Sequence, residues 1–303
     1  QRMSDDRVLN AAECDGGVWL NSTCWLDSSW QAVAVAGLAA VHEFNNRVGT
    51  HTALFASESV RACDKQLLVE VLDSGSTGRT SARALTNVLP VDALIGPGRS
   101  ASTSITAHIA GMIDVPQVSY WATSTALDDL TEYPRFMRSI PNDAALAAAL
   151  CEFWAFLGFE HAALLFLNDL YGEGFESELR RSCSTEGIAL RSFGFTPLDA
   201  ESTDNAVALL DEAGIGVVGV LSLGATDLHR LTTAAISRGM LGQGSPTCWW
   251  FADSQMSALE ALPQAEQQAL HGSYYLNGYG GGTDANPSFA QFVESWPNRD
   301  PND

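Results

Sequence analysis

Apolar positions along this 303-residue chain fall into two alternating rhythms. From Trp30 to Arg47 they recur at helical spacing (Val33, Val35, Leu38, Val41, Phe44), and Gly49 lies just beyond the end. Leu67 to Leu72 is instead a short apolar run closed by Asp73-Ser74-Gly75, which predicts a strand and a turn. The alternation continues with a helix at Thr80 to Leu89, a strand at Ala93 to Ile95, a helix at Ser102 to Met112, and strands at Gln117 to Tyr120 and Arg135 to Ile140. Pro141 is the expected first crossing between two lobes.

The second half repeats the pattern. Helices are expected at Ala144 to Leu157, Gly174 to Glu186, Asp204 to Ala213, Asp227 to Met240 and Ser257 to Leu270. Between them run strands at Ala162 to Leu167, Ala189 to Phe195, Val217 to Leu223, Cys248 to Phe251 and Gly272 to Leu276. Strands alternating with helices of ten or more residues mean βαβ units on parallel sheets. The chain is about twice a typical domain length, so the fold class is α/β with two doubly wound parallel-sheet lobes in series. Lobe 1 is expected at 26–140 and lobe 2 at 141–277. The glycine-rich Tyr279 to Thr283 crosses back, and 278–303, with a short helix at Pro287 to Trp296, returns to lobe 1.

Composition narrows the partners. Sixteen basic and 36 acidic residues leave a formal net charge of -20, which repels a phosphate backbone and excludes nucleic acid as a partner. The longest apolar runs fall well short of the ~20 residues that cross a bilayer, so any membrane attachment is expected outside this fragment. The first residue is Gln1 and no charged-then-apolar leader follows, so a secretion signal is also expected outside it. Six cysteines without a C-x-x-C pair argue for disulfides rather than a zinc or redox site. Cys151 with Cys183 in lobe 2, and Cys14 with Cys24 in the N-terminal segment 1–25, are the expected pairs. Together with the sequon Asn21-Ser22-Thr23, they point to an extracellular or lumenal location.

In open parallel sheets ligands bind beyond the carboxyl ends of strands, so the residues after each apolar run carry the chemistry. Gly96-Pro97-Gly98-Arg99-Ser100 follows a strand and opens a helix, where free amides and the Ser100 hydroxyl suit a carboxylate. A plain glycine turn with a serine cap is the structural alternative. Tyr120-Trp121-Ala122-Thr123-Ser124-Thr125 gathers hydroxyls at the next strand end, either for the same anion or as a capping run. In the second half, Asp253 offers a carboxylate to an ammonium group and the Tyr171 ring a π face to the same cation. None of the six histidines lies at metal-ligand spacing with another histidine or a cysteine, and no nucleophile elbow or phosphate loop is present. No catalytic residue, metal or cofactor is therefore expected.

The stretches Ile95 to Ser100, Val115 to Ser124 and Phe136 to Asp143 together resemble the ligand-binding domains of metabotropic glutamate, calcium-sensing and GABA type B receptors. They are also similar to natriuretic-peptide receptor ectodomains and to bacterial branched-chain amino-acid binding proteins. The resemblance implies a type I periplasmic-binding-protein fold, or Venus flytrap, C-terminally truncated here. It implies an α-carboxylate held by Ser100, Thr123 and the Ala122 backbone, and an α-ammonium met by Tyr171 and Asp253. Trp121 stands in this loop where amino-acid-binding members commonly carry serine, and Arg99 replaces a small residue. The implied function is the extracellular domain of a transmembrane receptor that senses an amino acid or similar small molecule by lobe closure. A homo- or heterodimer through lobe 1 is the implied assembly. The competing readings are a solute-binding protein of an amino-acid transporter and a ligandless partner subunit of a receptor dimer.

Overall fold

The computed structural model describes residues 28–50, 52–75, 77–252 and 256–276. They fall into two compact units. One takes the described residues up to Val88, and the other spans Leu89–Gly278.

The first unit holds the helices α1 (Ser28–Asn46), α2 (Glu58–Arg61) and α3 (Gly78–Val88). The expected strand at Leu67 to Leu72 does not form. A strand needs a laddered neighbour for its backbone groups. Here the Asn45 side chain supplies both bonds to Leu67 instead, accepting from its N–H at 2.7 Å and donating to its carbonyl at 2.9 Å. Arg47 likewise donates to the carbonyls of Cys63 and Lys65, each at 2.6 Å. The end of α1 therefore holds this segment extended through side chains, and Leu68 remains 74% exposed.

The second unit contains two parallel sheets. The smaller has the order β1 (Leu94–Ile95), β2 (Gln117–Ser119), β3 (Phe136–Arg138), with α4 (Ser100–Met112) between the first two strands. Its register pairs Ile95 with Val118 and Val118 with Met137. The chain then passes through Pro141 into α5 (Ala144–Phe156), β4 (His161–Leu167), α6 (Leu170–Thr185), β5 (Ala189–Phe195), α7 (Ala200–Ala213) and β6 (Val217–Leu221). It finishes with α8 (Ala225–Ser237), β7 (Cys248–Ala252), α9 (Met256–Glu260), α10 (Gln264–Ala269) and β8 (Tyr274–Leu276).

The larger sheet has the order β5-β4-β6-β7-β8, every pair parallel. All five residues of β6 are buried, as are most of β4. Such unbroken apolar runs are what a sheet covered on both faces requires. Each fully buried leucine of β4, such as Leu164 and Leu165, contributes roughly 1.5–3 kcal/mol by leaving water. Trp154 from α5 is wholly buried in this core. Gly219 of β6 makes room for it: a Cβ there would stand 3.2 Å from the indole and 3.3 Å from Leu164. Cys151 of α5 and Cys183 of α6 form the expected disulfide between the two helices.

The single helix expected at Ser257 to Leu270 is two, because Pro263 stands at the N-cap of α10 and breaks the run. Helix α6 begins four residues before the expected Gly174, since Asp169 caps it through bonds from the Tyr171 and Gly172 amides at 3.1 and 3.0 Å. The Cys14–Cys24 pair, the sequon, the crossing at Tyr279 to Thr283 and the helix at Pro287 to Trp296 lie outside the described residues. Among the described residues, no helix is long and apolar enough to cross a membrane.

Candidate functional site

The carboxyl ends of both sheets are where the two layers meet. In the larger sheet the chain leaves β4 first to β5 on one side and then to β6 on the other. That reversal opens the crevice in which doubly wound folds hold ligands. The segment leaving β4, Asn168 to Tyr171, sits at this point, and the segments leaving β1 and β2 come against it. Arg99 donates to Asp169 at 3.0 Å, and the Ser124 hydroxyl donates to the Leu170 carbonyl at 2.8 Å. Approach is close enough that a Cβ on Gly174 would lie 2.4 Å from Ser124 Oγ.

The loop after β1 depends on Gly96, whose φ of +85° is left-handed. A Cβ there would stand 3.1 Å from the Tyr120 ring, so glycine also admits that side chain. Burial pushes the Tyr120 phenol above its ordinary pKa. Pro97 O is held by the hydroxyls of Ser119 at 2.7 Å and Thr103 at 2.8 Å, which fixes the turn against β2 and α4. Ser100 opens α4 and is 3% exposed. Its hydroxyl accepts from the Ser124 amide at 3.2 Å, and its own proton can still be donated.

The loop after β2 is organised by Arg138 of β3. Its guanidinium donates to the carbonyls of Ala122 and Ser124, each at 3.1 Å, and pairs with Asp128. A trans peptide points its N–H opposite to its carbonyl. Holding Ala122 C=O on one side therefore turns the Thr123 N–H to the other. Thr123 is buried, and among the described residues neither its amide nor its hydroxyl makes a hydrogen bond. Ala122 is fully buried, and its N–H donates to Ser119 Oγ at 3.0 Å. Trp121 is half-buried.

Across from them, Tyr171 occupies the first turn of α6 and is 3% exposed, part of the larger sheet's core. Asp253, which follows β7, lies outside the described residues. The structure thus brings Ser100, Trp121, Ala122 and Thr123 to one sheet end and Tyr171 to the facing one. The direct contacts are made by their sequence neighbours Arg99, Ser124, Asp169 and Leu170. Beside the Ser124–Leu170 bond a pocket of about 630 Å³ opens between Thr125, Asp128, Asn142, Glu173 and Ser177. None of the five described candidate residues lines it.

Three residues of this region escaped the sequence reading. Arg138 looked like an ordinary strand residue. Asp143 is a 3% exposed acid whose amide donates to Thr123 O at 3.0 Å; in sequence it stood just before the expected helix at Ala144, with no role assigned. Ser222 was placed inside a strand running to Leu223, but β6 ends at Leu221. Ser222 is therefore the first residue beyond the switch-point strand, and its buried hydroxyl has no hydrogen-bond partner among the described residues. Counting two residues past Val220, the last of the valines in this run, would have found it. Among the described residues, no group of three His, Cys, Asp or Glu could hold a metal ion.

Comparison with known proteins agrees with this architecture. The chain is 26% identical over 167 residues to metabotropic glutamate receptor-like protein E of Dictyostelium discoideum, covering 52% of this chain and 20% of that protein. It is 33% identical over 174 residues to taste receptor type 1 member 3 of Felis catus (54% and 20%). With the human extracellular calcium-sensing receptor it shares 26% over 179 residues (57% and 16%). The chain thus spans a fifth or less of the length of these relatives. The family described as the receptor family ligand binding region matches residues 50–299, most of the chain. With a type I periplasmic-binding-protein-like α/β fold and that match, this chain belongs to the family of receptor ligand-binding regions, which is not a family of enzymes.

Proposed function

We propose that this chain is the extracellular ligand-binding region of a transmembrane receptor and that it senses an amino acid or similar small zwitterion by closing two lobes on it. The lobes are 26–140, with 278–303 returning to the first, and 141–277. The observation that carries this reading is Thr123: a buried residue whose amide and hydroxyl are both unspent among the described residues, directly beside a segment in contact with the approach to Tyr171. In this reading Thr123 and Ser100 donate to the ligand carboxylate, Ala122 and Trp121 shape the wall behind it, and Tyr171 and Asp253 meet the ammonium. A ligand favours closure only by touching both sides at once. The name of one relative, a metabotropic glutamate receptor-like protein, supports an amino-acid-like ligand.

A dimer through lobe 1 completes the proposal. Helix α4 and the residue that ends it leave Ile105, Met112 and Ile113 exposed at 43%, 79% and 41%, apolar positions in accord with such a contact.

One set of contacts favours a second reading, the ligandless partner subunit. The Ala122 amide and the Ser100 hydroxyl are already engaged with the protein, and Arg99 is paired with Asp169. Isothermal titration with the twenty amino acids and γ-aminobutyrate separates the two. The receptor reading expects heat with at least one of them. Flat titrations throughout would overturn it in favour of the ligandless subunit.

A further inference from the structure

We propose that Arg99 and Asp169 form a built-in electrostatic latch that holds the end of β1 against the end of β4, so that closure is set partly by the protein's own ion pair. The pair spans the two layers with N–O at 3.0 Å and belongs to neither sheet's core. Its side chains are 28% and 12% exposed, so water and salt screen it only in part.

Asp169 has two duties. One oxygen, Oδ1, accepts from the Tyr171 and Gly172 amides and starts α6. The other, Oδ2, takes the Arg99 guanidinium. Each oxygen of an ionised carboxylate can accept in this way, and the arginine bond is charge-assisted. Arg99 therefore grips the carboxylate that positions Tyr171. The Ser124 hydroxyl, donating to Leu170 O at 2.8 Å, adds a neutral bond beside it.

The latch joins protein atoms only. Any state in which the layers separate must return both charges to water and break the Ser124 bond. Arginine in place of a small residue in this turn thereby biases the domain toward the joined state. Ionic strength becomes a regulator, because salt stabilises the separated charges more than the paired ones.

The test uses the full chain without any ligand, so its failure is distinguishable from that of the amino-acid reading. Wild type, Arg99→Ala, Arg99→Lys and Asp169→Asn are compared by hydrogen–deuterium exchange in low and high salt. Asn retains the cap on α6 and loses only the charge, which separates latch from helix start. The expected result is exchange about three- to tenfold faster in 122–126 and 168–172 for Arg99→Ala and Asp169→Asn. Wild type should move the same way in high salt, Arg99→Lys should stay within about twofold of wild type, and β4 and β6 should stay protected in all four. Equal effects of Arg99→Ala and Arg99→Lys would overturn the proposal by showing that shape rather than charge matters. Unchanged exchange in Arg99→Ala and Asp169→Asn would overturn it outright, as would loss of protection across the whole larger sheet.

Discussion

Removing the disulfide between α5 and α6 is the perturbation whose size the structure fixes best. Cys151 and Cys183 are both wholly buried, and the bond closes a loop with a sequence separation of 32. In the chain-entropy account a loop of that length takes about 12 cal/mol/K from the unfolded chain, or about 3.7 kcal/mol at 25 °C. The double variant Cys151→Ala/Cys183→Ala should therefore lose about 3–4 kcal/mol, a large share of the 5–15 kcal/mol typical of a folded domain. Urea denaturation followed by tryptophan fluorescence reads this well, since Trp154, Trp249 and Trp250 are buried in the same core. Because α6 carries Asp169 and Tyr171 at its start, the variant should also lower affinity for any ligand more than a surface substitution does. A loss under about 1 kcal/mol would refute the reasoning, since the cross-link would then not be restraining the unfolded chain.

Gly174→Ala places a Cβ 2.4 Å from Ser124 Oγ and should destabilise by about 1–3 kcal/mol in a thermal melt, where an unchanged midpoint would mean the two segments do not touch. Ser100→Ala and Asp253→Ala should each weaken binding at least severalfold, measured by titration with whichever amino acid gives heat, and Ser100→Ala should also lower the melting temperature because the buried Ser124 amide loses its acceptor. Burial pushes the Cys248 thiol above its ordinary pKa, so less thiolate is present at pH 8. Iodoacetamide should therefore alkylate Cys248 more slowly than a cysteine in a short peptide, as peptide mass spectrometry would show.

Much of this fold could be read from the chain because the larger sheet is built from runs that periodicity detects well. The expected strand at Ala189 to Phe195 coincides with β5, and Ala162 to Leu167 misses β4 by one residue. The misses have local causes. Gly172 fell before the helix expected from Gly174, yet it lies inside α6. A Cβ on Gly172 would come within 1.9 Å of Leu167 O, so glycine is there for close approach, which composition alone does not reveal. Leu67 to Leu72 has the composition of a strand, but pairing is a tertiary property, and α1 meets it with side chains instead.

The candidate site was legible to the same depth. The rule that chemistry follows the strand ends led to Ser100, Thr123 and Tyr171, and those segments do converge. It gave no hint that Arg138 would bind the loop carbonyls, 16 and 14 positions away, or that Arg99 would reach Asp169, 70 positions away, because such contacts follow no helix or strand period.

The most direct test of the central claim is a crystal structure of the chain grown with the amino acid that gives the strongest calorimetric response. The account predicts bound density with a carboxylate against the Thr123 amide and hydroxyl, and an ammonium toward Tyr171 and Asp253. Density lodged instead in the pocket between Asp128 and Glu173, with Thr123 untouched, would contradict it.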